Sequence, residues 1–166
     1  MKKIRFLIKL NEKGKLQITE PSNEISESYL KKSESHLESA KILLNSQKLE
    51  ECVSMAYYGM YHILLALLFK CGIKSENHSA SILILEELFK KGDLAQEIKF
   101  GKKERIDKQY YTDFKLTKPD CEDMIKRAEI FIIEIKNIIK HLSQADTIAL
   151  NEEISGSLAE NEENVK

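Results

Sequence analysis

The sequence contains few of the residues that interrupt helices. Its 166 residues include only two prolines and six glycines, whereas average composition would supply roughly 8 prolines and about 12 glycines. A β-sandwich or β-barrel needs a turn about every 8–12 residues, which so few turn formers cannot supply. With 42% apolar and 32% charged residues, the chain is predicted to form one all-α domain with a substantial core.

Cysteine and clustered glycine are also scarce. The three cysteines, Cys52, Cys71 and Cys121, form no CxxC pair, which excludes a disulfide scaffold and a cysteine-rich zinc site and predicts a reducing, cytoplasmic location. No two glycines lie within four residues of each other, so the glycine-rich phosphate loops of P-loop and Rossmann proteins are excluded. No HExxH or paired His/carboxylate spacing is present, and neither a metal nor a cofactor is expected.

One uncharged segment is long enough to be either a membrane-spanning helix or a buried core helix. Residues 52–69 contain no formal charge over 18 positions, but they include three tyrosines, His62, Ser54 and Gly59. A membrane span of that length would have fewer polar groups. The segment is therefore predicted to be the central buried helix of the domain, and no membrane partner is expected.

The N-terminal residues alternate between apolar and polar. Apolar side chains occupy positions 4, 6, 8 and 10 and again 16 and 18, with Gly14 in the turn between the two runs. This period of two predicts a short β-hairpin over residues 1–20.

From Ser22 onward the period becomes helical. Ser22, Asn77 and Thr117 are predicted helix N-caps, and Asp120 completes a capping box with Thr117. The predicted helices span about residues 22–47, 49–71, 80–91, 102–114 and 118–142. They form an antiparallel four- to five-helix bundle over residues 22–142, in which mid-helix Gly59 indicates a close helix crossing, either within the chain or in a dimer.

The charges divide the chain into a basic body and an acidic end. Residues 143–166 contain six acids and one lysine, with only scattered aliphatic residues, which predicts a disordered acidic tail. Between Lys90 and Lys118 there are nine basic and five acidic residues, interleaved with aromatic ones. This segment fits phosphate contact with base stacking, but a solvated helix with one apolar face has the same pattern and is the more frequent case.

The four histidines have different sequence contexts. His36 and His141 fall on polar helix faces and are predicted to be solvated. His62 lies in the most apolar helix, where a core or interface role is more frequent than a catalytic one. His78 follows the predicted cap Asn77, and it either assists that cap or takes part in chemistry.

The segment Ala56–His62, followed by Ala66–Leu68, Gly72 and His78, resembles the HEPN domain family. Arg105 with Tyr110, and the helix through Ala128–Phe131, continue the likeness, which covers about residues 25–142. The resemblance implies a helical bundle that dimerises through its central helices. It also implies a partner, since many members pair with a minimal nucleotidyltransferase in toxin–antitoxin modules.

Other members of this family are metal-independent ribonucleases with an R-x(4–6)-H motif, whose histidine acts as acid or base while the arginine binds phosphate. In this chain Arg105 is present, but Tyr110, Tyr111 and Thr112 occupy the window of the histidine. Tyrosine, with a pKa near 10, is a poor general base at neutral pH. This departure from the motif argues against ribonuclease activity by the family mechanism, while Arg105 can still hold a phosphate.

The residues, together with what the resemblance implies, give three hypotheses. The first is a homodimeric partner of a nucleotidyltransferase that binds nucleotide or RNA phosphate, with a ligand set of Arg105, Tyr110, Tyr111, Lys102, Lys103, Tyr58, His62 and His78. The second is an atypical ribonuclease that combines Arg105 with His62 or His78. The third is an interaction module without a ligand, in which Arg105 pairs with a neighbour such as Glu104 or Asp107.

Overall fold

The protein is described by a computed structural model that covers residues 2–110 and 115–163, with side chains over residues 3–107 and 115–159. Over these residues the all-α prediction is confirmed, with a two-stranded sheet in addition. The helices and strands are α1 (Lys2–Glu12), β1 (Leu16–Ile18), α2 (Asn23–Asn45), α3 (Leu49–Lys70), β2 (Ile73–Ser75), α4 (His78–Glu87), α5 (Gly92–Tyr110), α6 (Lys118–His141) and α7 (Gln144–Glu163).

The centre of the fold is α3, as its uncharged sequence predicts. It packs against α2, α4, α5 and α6, and 13 of its 22 residues are buried. Its length and apolarity also satisfy the criteria for a membrane span, but 72% of its most apolar window is buried inside the protein. Helices that are apolar on nearly all sides occupy the middle of helical domains, and α3 is such a core helix.

The crossing of α2 and α3 explains the glycine in the middle of α3. The Ser33 hydroxyl donates a hydrogen bond of 2.7 Å to the carbonyl oxygen of Gly59, and both groups are buried. A Cβ on Gly59 would lie 3.4 Å from the Ser33 carbonyl oxygen. Gly59 therefore allows the two helix backbones to approach closely within one chain.

The three predicted helix caps are present. Ser22 accepts from the Ile25 amide, and Asn77 accepts from the Ala80 amide. Thr117 and Asp120 form both hydrogen bonds of a capping box at the start of α6. Because each cap satisfies amides that the first turn leaves unpaired, these local sequences determine where α2, α4 and α6 begin.

The predicted N-terminal hairpin is wrong. Residues 2–12 are helical, and β1 pairs antiparallel with β2 near residue 74 rather than with a strand in residues 4–10. The sequence also has a helical period here, because Ile4, Leu7 and Ile8 fall at i, i+3 and i+4. Leu7 and Ile8 are adjacent yet both buried, which a strand with one buried face does not permit.

The prediction of a disordered tail is also wrong over residues 144–163. This segment forms α7, which packs against α1. Thr147, Ile154 and Leu158 are buried, and their spacings of seven and four residues place them on one helix face. Together α1 and α7 bring the number of helices in the described residues to seven, above the predicted four or five.

The boundary between the third and fourth predicted helices lies elsewhere. α4 ends at Glu87, and Gly92 begins α5 instead of ending the preceding helix. Lys90 has a φ of 55°, so the chain reverses there and not at the glycine. Residues 93–101 are therefore helical, which places Lys102 and Arg105 in the middle of α5.

Candidate functional site

Eight aromatic rings from three helices meet on one side of α3, and we call them the aromatic cluster. Each ring lies within 6.3 Å, centroid to centroid, of at least one other. They belong to Tyr29 and His36 of α2, to Tyr57, Tyr58, Tyr61, His62 and Phe69 of α3, and to His78 of α4.

The Asn77 cap and the β1–β2 ladder place His78 against α3. The ladder holds Ser75 opposite Leu16, and the cap starts α4 at His78. The Tyr57 hydroxyl and His78 Nδ1 are then 2.6 Å apart and hydrogen-bonded. The His78 ring also stacks on Tyr61, with centroids 3.7 Å apart.

Arg105 reaches the same rings from α5. Its Nη1 donates a hydrogen bond of 2.5 Å to the Tyr58 hydroxyl. The guanidinium carbon lies 5.5 Å from the Tyr57 ring centroid and 5.2 Å from that of Tyr58, within cation–π range of both. Its Nε is buried and has no hydrogen-bond partner among the residues that the structure describes.

Lys102 lies one turn before Arg105 and faces the start of α4. Its Nζ donates a hydrogen bond of 2.7 Å to the Ser79 hydroxyl. Burial, and then the charge of Arg105, lower the pKa of Lys102. Among the side chains that the structure describes, no carboxylate forms an ion pair with either residue, and we call Lys102 and Arg105 the cationic pair.

The two imidazoles of the cluster on α3 and α4 are neutral at pH 7. Burial, and then the charges of Arg105 and Lys102, lower the pKa of His78 to about 4. Burial, and then His36 and Lys32, lower the pKa of His62 to about 4 as well. A neutral imidazole can accept a proton at pH 7 but is a weak proton donor.

His36 does not occupy the solvated position that its sequence context predicts. Its ring stacks on His62 with centroids 4.7 Å apart and an interplanar angle of 15°. It is half-buried, and burial lowers its pKa. His141 differs, since it is exposed on α6.

The fold brings together only part of the predicted ligand set. Arg105, Lys102, Tyr58 and His78 are neighbours, and His62 joins them through its contact with Tyr58. Lys103 is exposed on the same helix. Tyr111 and the side chain of Tyr110 lie outside the described residues.

Sequence reasoning missed Tyr29, His36, Tyr57, Tyr61 and Ser79 as members of this region. Tyr57 and Tyr61 are four residues apart on α3, and Tyr29 and His36 are seven apart on α2, so each pair shares a helix face. That spacing was visible in the sequence. The contact between the two helices was not, because it depends on how α2 and α3 cross.

No three His, Cys, Asp or Glu side chains converge as a metal site within the described residues. The chemistry of the region therefore comes from cations, phenols and imidazoles. Two cations that pair with no described carboxylate and lie beside aromatic faces suit an anionic ligand that also carries a flat ring.

Comparison with known proteins assigns the helical bundle to a family. The family model described as the HEPN domain matches residues 26–139, a range that includes the aromatic cluster and the cationic pair. The matched range excludes α1 and α7.

Three relatives are similar over about the same length. A protein of Methanocaldococcus jannaschii with the name "Putative toxin" is 30% identical over 116 residues, which are 66% of this chain and 84% of the relative. A UPF0332 protein of Pyrococcus horikoshii is 31% identical over 121 residues, 70% of this chain and 75% of the relative. A UPF0332 protein of Thermotoga maritima is 28% identical over 114 residues, 66% and 86% of the two chains.

Proposed function

This chain belongs to the HEPN domain family, and from that premise we propose that it binds the phosphate of a nucleotide or RNA through Arg105 and Lys102. The proposal includes a cytoplasmic homodimer that acts as the partner of a minimal nucleotidyltransferase in a toxin–antitoxin-like module. The name of the Methanocaldococcus relative, "Putative toxin", supports the module.

The observation that carries the proposal is the cationic pair. Two positive charges held close together are costly unless an anion binds between them. The charge of Arg105 contributes to the lowered pKa of Lys102, and no described carboxylate compensates either one. A phosphate would do so, since guanidinium groups bind phosphate oxygens in pairs.

The test is nucleotide and RNA binding by the full-length protein, measured by calorimetry and thermal shift. Arg105→Ala and Lys102→Ala should each weaken the affinity for AMP and for a short RNA about 10-fold or more, because charge-assisted hydrogen bonds contribute about 1.5–3 kcal/mol. Lys103→Ala removes an exposed lysine from the same helix and should leave both affinities unchanged. Equal effects of Lys102→Ala and Lys103→Ala would count against the site.

The partnership has a separate test. A minimal nucleotidyltransferase encoded beside this gene should co-purify with the protein at a constant ratio. Light scattering should give twice the chain mass for the protein alone. A monomer, or a neighbouring gene product that does not bind, would remove the module from the proposal and leave phosphate binding intact.

A second candidate, a metal-independent ribonuclease, is favoured by the hydrogen bond between Tyr57 and His78. A His78 imidazole that donates its Nδ1 proton to Tyr57 has an unprotonated Nε2 that can accept a proton, and its pKa of about 4 makes it a weaker base than an ordinary histidine. Arg105 would then bind the scissile phosphate. RNA cleavage in EDTA that His78→Gln and Arg105→Ala both abolish would establish this activity, and intact RNA after hours of incubation would exclude it.

A ligand-free interaction module is the remaining outcome of these experiments. It predicts a tight complex with a protein partner and no thermal shift with any nucleotide or RNA. The arrangement of Lys102 and Arg105 would then contribute only to the packing of α5 on α3.

A further inference from the structure

The aromatic cluster extends well beyond the cationic pair, along α2 and α3. Tyr58, His62 and Phe69 are four and seven residues apart on α3, so they share one side of the helix. From Tyr58 to Phe69 this side is about 16 Å long at 1.5 Å per residue. Tyr29 of α2 stacks on Phe69 with centroids 5.2 Å apart and an interplanar angle of 9°.

We call the rings of Tyr58, His36, His62, Tyr29 and Phe69, which follow one another along α2 and α3, the strip. A third cation lies at the Tyr29 end of this strip. Lys32 Nζ lies 5.0 Å from the Tyr29 ring centroid. Its charge also lowers the pKa of both His36 and His62, so it is close to these imidazoles. The strip thus has Lys32 beside Tyr29 and has Arg105, with Lys102, beside Tyr58.

The rings of the strip are accessible from solvent. Tyr29, His36, His62 and Phe69 are all half-buried, with part of each side chain at the surface. His62 Nδ1 is buried and makes no well-formed hydrogen bond within the described part of the chain. Partly exposed rings beside a lysine are the elements with which proteins stack single-stranded bases and contact the adjoining phosphate.

The acids of α2 lie on another side of the helix. Glu34 bonds Lys136 of α6, and Glu38 lines the groove between α2 and α6. At 100° per residue, the side with Tyr29, Lys32 and His36 contains no acidic residue of α2. The strip is therefore positive and aromatic, complementary to a polyanion with flat bases.

The length of the strip favours an oligonucleotide over a mononucleotide as the ligand. About 16 Å exceeds four times the roughly 3.4 Å phosphate rise of a stacked strand, so one nucleotide at Arg105 cannot also reach Phe69. We propose that Tyr29, Lys32 and Phe69 form a second subsite, which holds a base and a phosphate of the same strand, so that the ligand is a single-stranded oligonucleotide. His36 and His62 lie between this subsite and Tyr58. This inference rests on the phosphate site proposed for Arg105 and Lys102.

The experiment compares ligands of increasing length on the full-length protein. Fluorescence anisotropy, with AMP as competitor, gives affinities for AMP and for single-stranded RNAs of two, four and eight nucleotides. The affinity should rise at least 10-fold from one to four nucleotides. Equal affinity for AMP and the tetranucleotide would overturn the second subsite while leaving phosphate binding at Arg105 in place.

Single-residue variants then show which side chains are responsible for the higher affinity of the tetranucleotide. Lys32→Ala should weaken tetranucleotide binding about fivefold and lower the slope of log affinity against log salt by about 0.7, the value for one phosphate contact on a single strand. It should leave AMP binding unchanged. The matched control is Lys31→Ala, an exposed lysine on the opposite side of α2, which should change neither.

The stacking has its own pair of variants. Tyr29→Phe retains the ring and should keep tetranucleotide affinity, whereas Tyr29→Leu should lower it about fivefold or more. The second subsite would be overturned if Lys32→Ala and Lys31→Ala changed the tetranucleotide affinity equally. It would also be overturned if Tyr29→Leu dissociated a dimer without changing the affinity for RNA. A protein that binds neither AMP nor RNA would overturn the phosphate site itself.

Discussion

The hydroxyl of Tyr57 and Nδ1 of His78, which are 21 residues apart in sequence, form a hydrogen bond of 2.6 Å. Tyr57 is fully buried in α3, and His78 is the first residue of α4. The bond therefore fixes the imidazole relative to the tyrosines that contact Arg105. It links the core of the bundle to its candidate site.

Removing this hydroxyl should loosen His78 at a moderate cost. Tyr57→Phe keeps the ring in the core and should lower the free energy of unfolding by about 1 kcal/mol, measured by urea denaturation. Two-dimensional NMR should show larger shifts for His78 ring protons than for those of His36. An unchanged His78 spectrum would show that the bond does not hold the ring.

Acid should destabilise the protein through its buried histidines. The folded-state pKa of His62 and His78 is about 4, below the ordinary value of about 6.5. Between these values the unfolded chain binds protons that the folded chain does not, so the free energy of unfolding falls as the pH falls from about 6.5 to about 4. Urea denaturation at half-unit steps measures this slope.

The matched variants identify the source of the slope. His62→Gln should flatten the pH dependence between about 6.5 and 4 because it removes a titrating group. Ser28→Ala, at an exposed position with no titrating side chain, should retain the wild-type profile. Parallel profiles for all three proteins would mean that His62 keeps the same pKa in the folded and unfolded states.

The turn after α3 requires a glycine. Gly72 has a φ of 69°, and a Cβ there would lie 2.2 Å from the Thr19 carbonyl oxygen. Gly72→Ala should therefore lower the free energy of unfolding by about 2 kcal/mol or more, as measured by urea denaturation. Gly156→Ala is the control: a Cβ there meets nothing within 4 Å, and this helical position should gain up to about 1 kcal/mol.

The α2–α3 crossing depends on one buried hydroxyl. Ser33→Ala leaves the Gly59 carbonyl without the donor that lies 2.7 Å away, and the loss should be about 1–2 kcal/mol. Ser39→Ala removes a hydroxyl that bonds only the exposed Ser35 carbonyl of its own helix, and it should change stability by less than about 0.5 kcal/mol. Equal thermal unfolding midpoints for Ser33→Ala and Ser39→Ala would show that the buried Ser33 hydroxyl does not stabilise the crossing.

One side chain of α7 forms hydrogen bonds to the backbone beside both strands of the β1–β2 ladder. Asn151 Nδ2 donates to the carbonyl oxygens of Cys71 at 2.8 Å and Thr19 at 3.1 Å. Asn151→Ala should lower stability by about 1–3 kcal/mol and increase amide hydrogen exchange in α7. Glu152→Ala, at the next and exposed position, should do neither. Wild-type exchange rates in Asn151→Ala would show that α7 is held by its apolar contacts alone.

Much of the fold follows from local patterns. The caps at Ser22, Asn77 and Thr117 and the uncharged run of α3 predict three helix starts and the central helix, because capping and burial depend on residues that are close in sequence. The same local logic failed at both ends of the chain. Alternation at positions 4–10 fits a strand and a helix equally, and the sparse aliphatic residues of α7 bury only where α1 provides a surface.

The candidate site shows the same division. Arg105, Lys102 and His78 were identifiable as chemical groups, and the tyrosines of α3 could be placed on one helix. That Arg105 bonds Tyr58, and that His36 stacks on His62 rather than facing solvent, could not be read from either helix alone. Such contacts depend on the angle and depth at which two helices cross, and these are set by the packing of the whole core.

The sequence by itself determined the all-α class, the central helix and the residues that carry charge or a titrating ring. Only the tertiary structure decided which of these residues meet, and that residues 2–12 and 144–163 form helices. The physical reason is that hydrophobic period and capping act over a few residues, whereas the cationic pair and the aromatic cluster result from contacts between residues tens of positions apart.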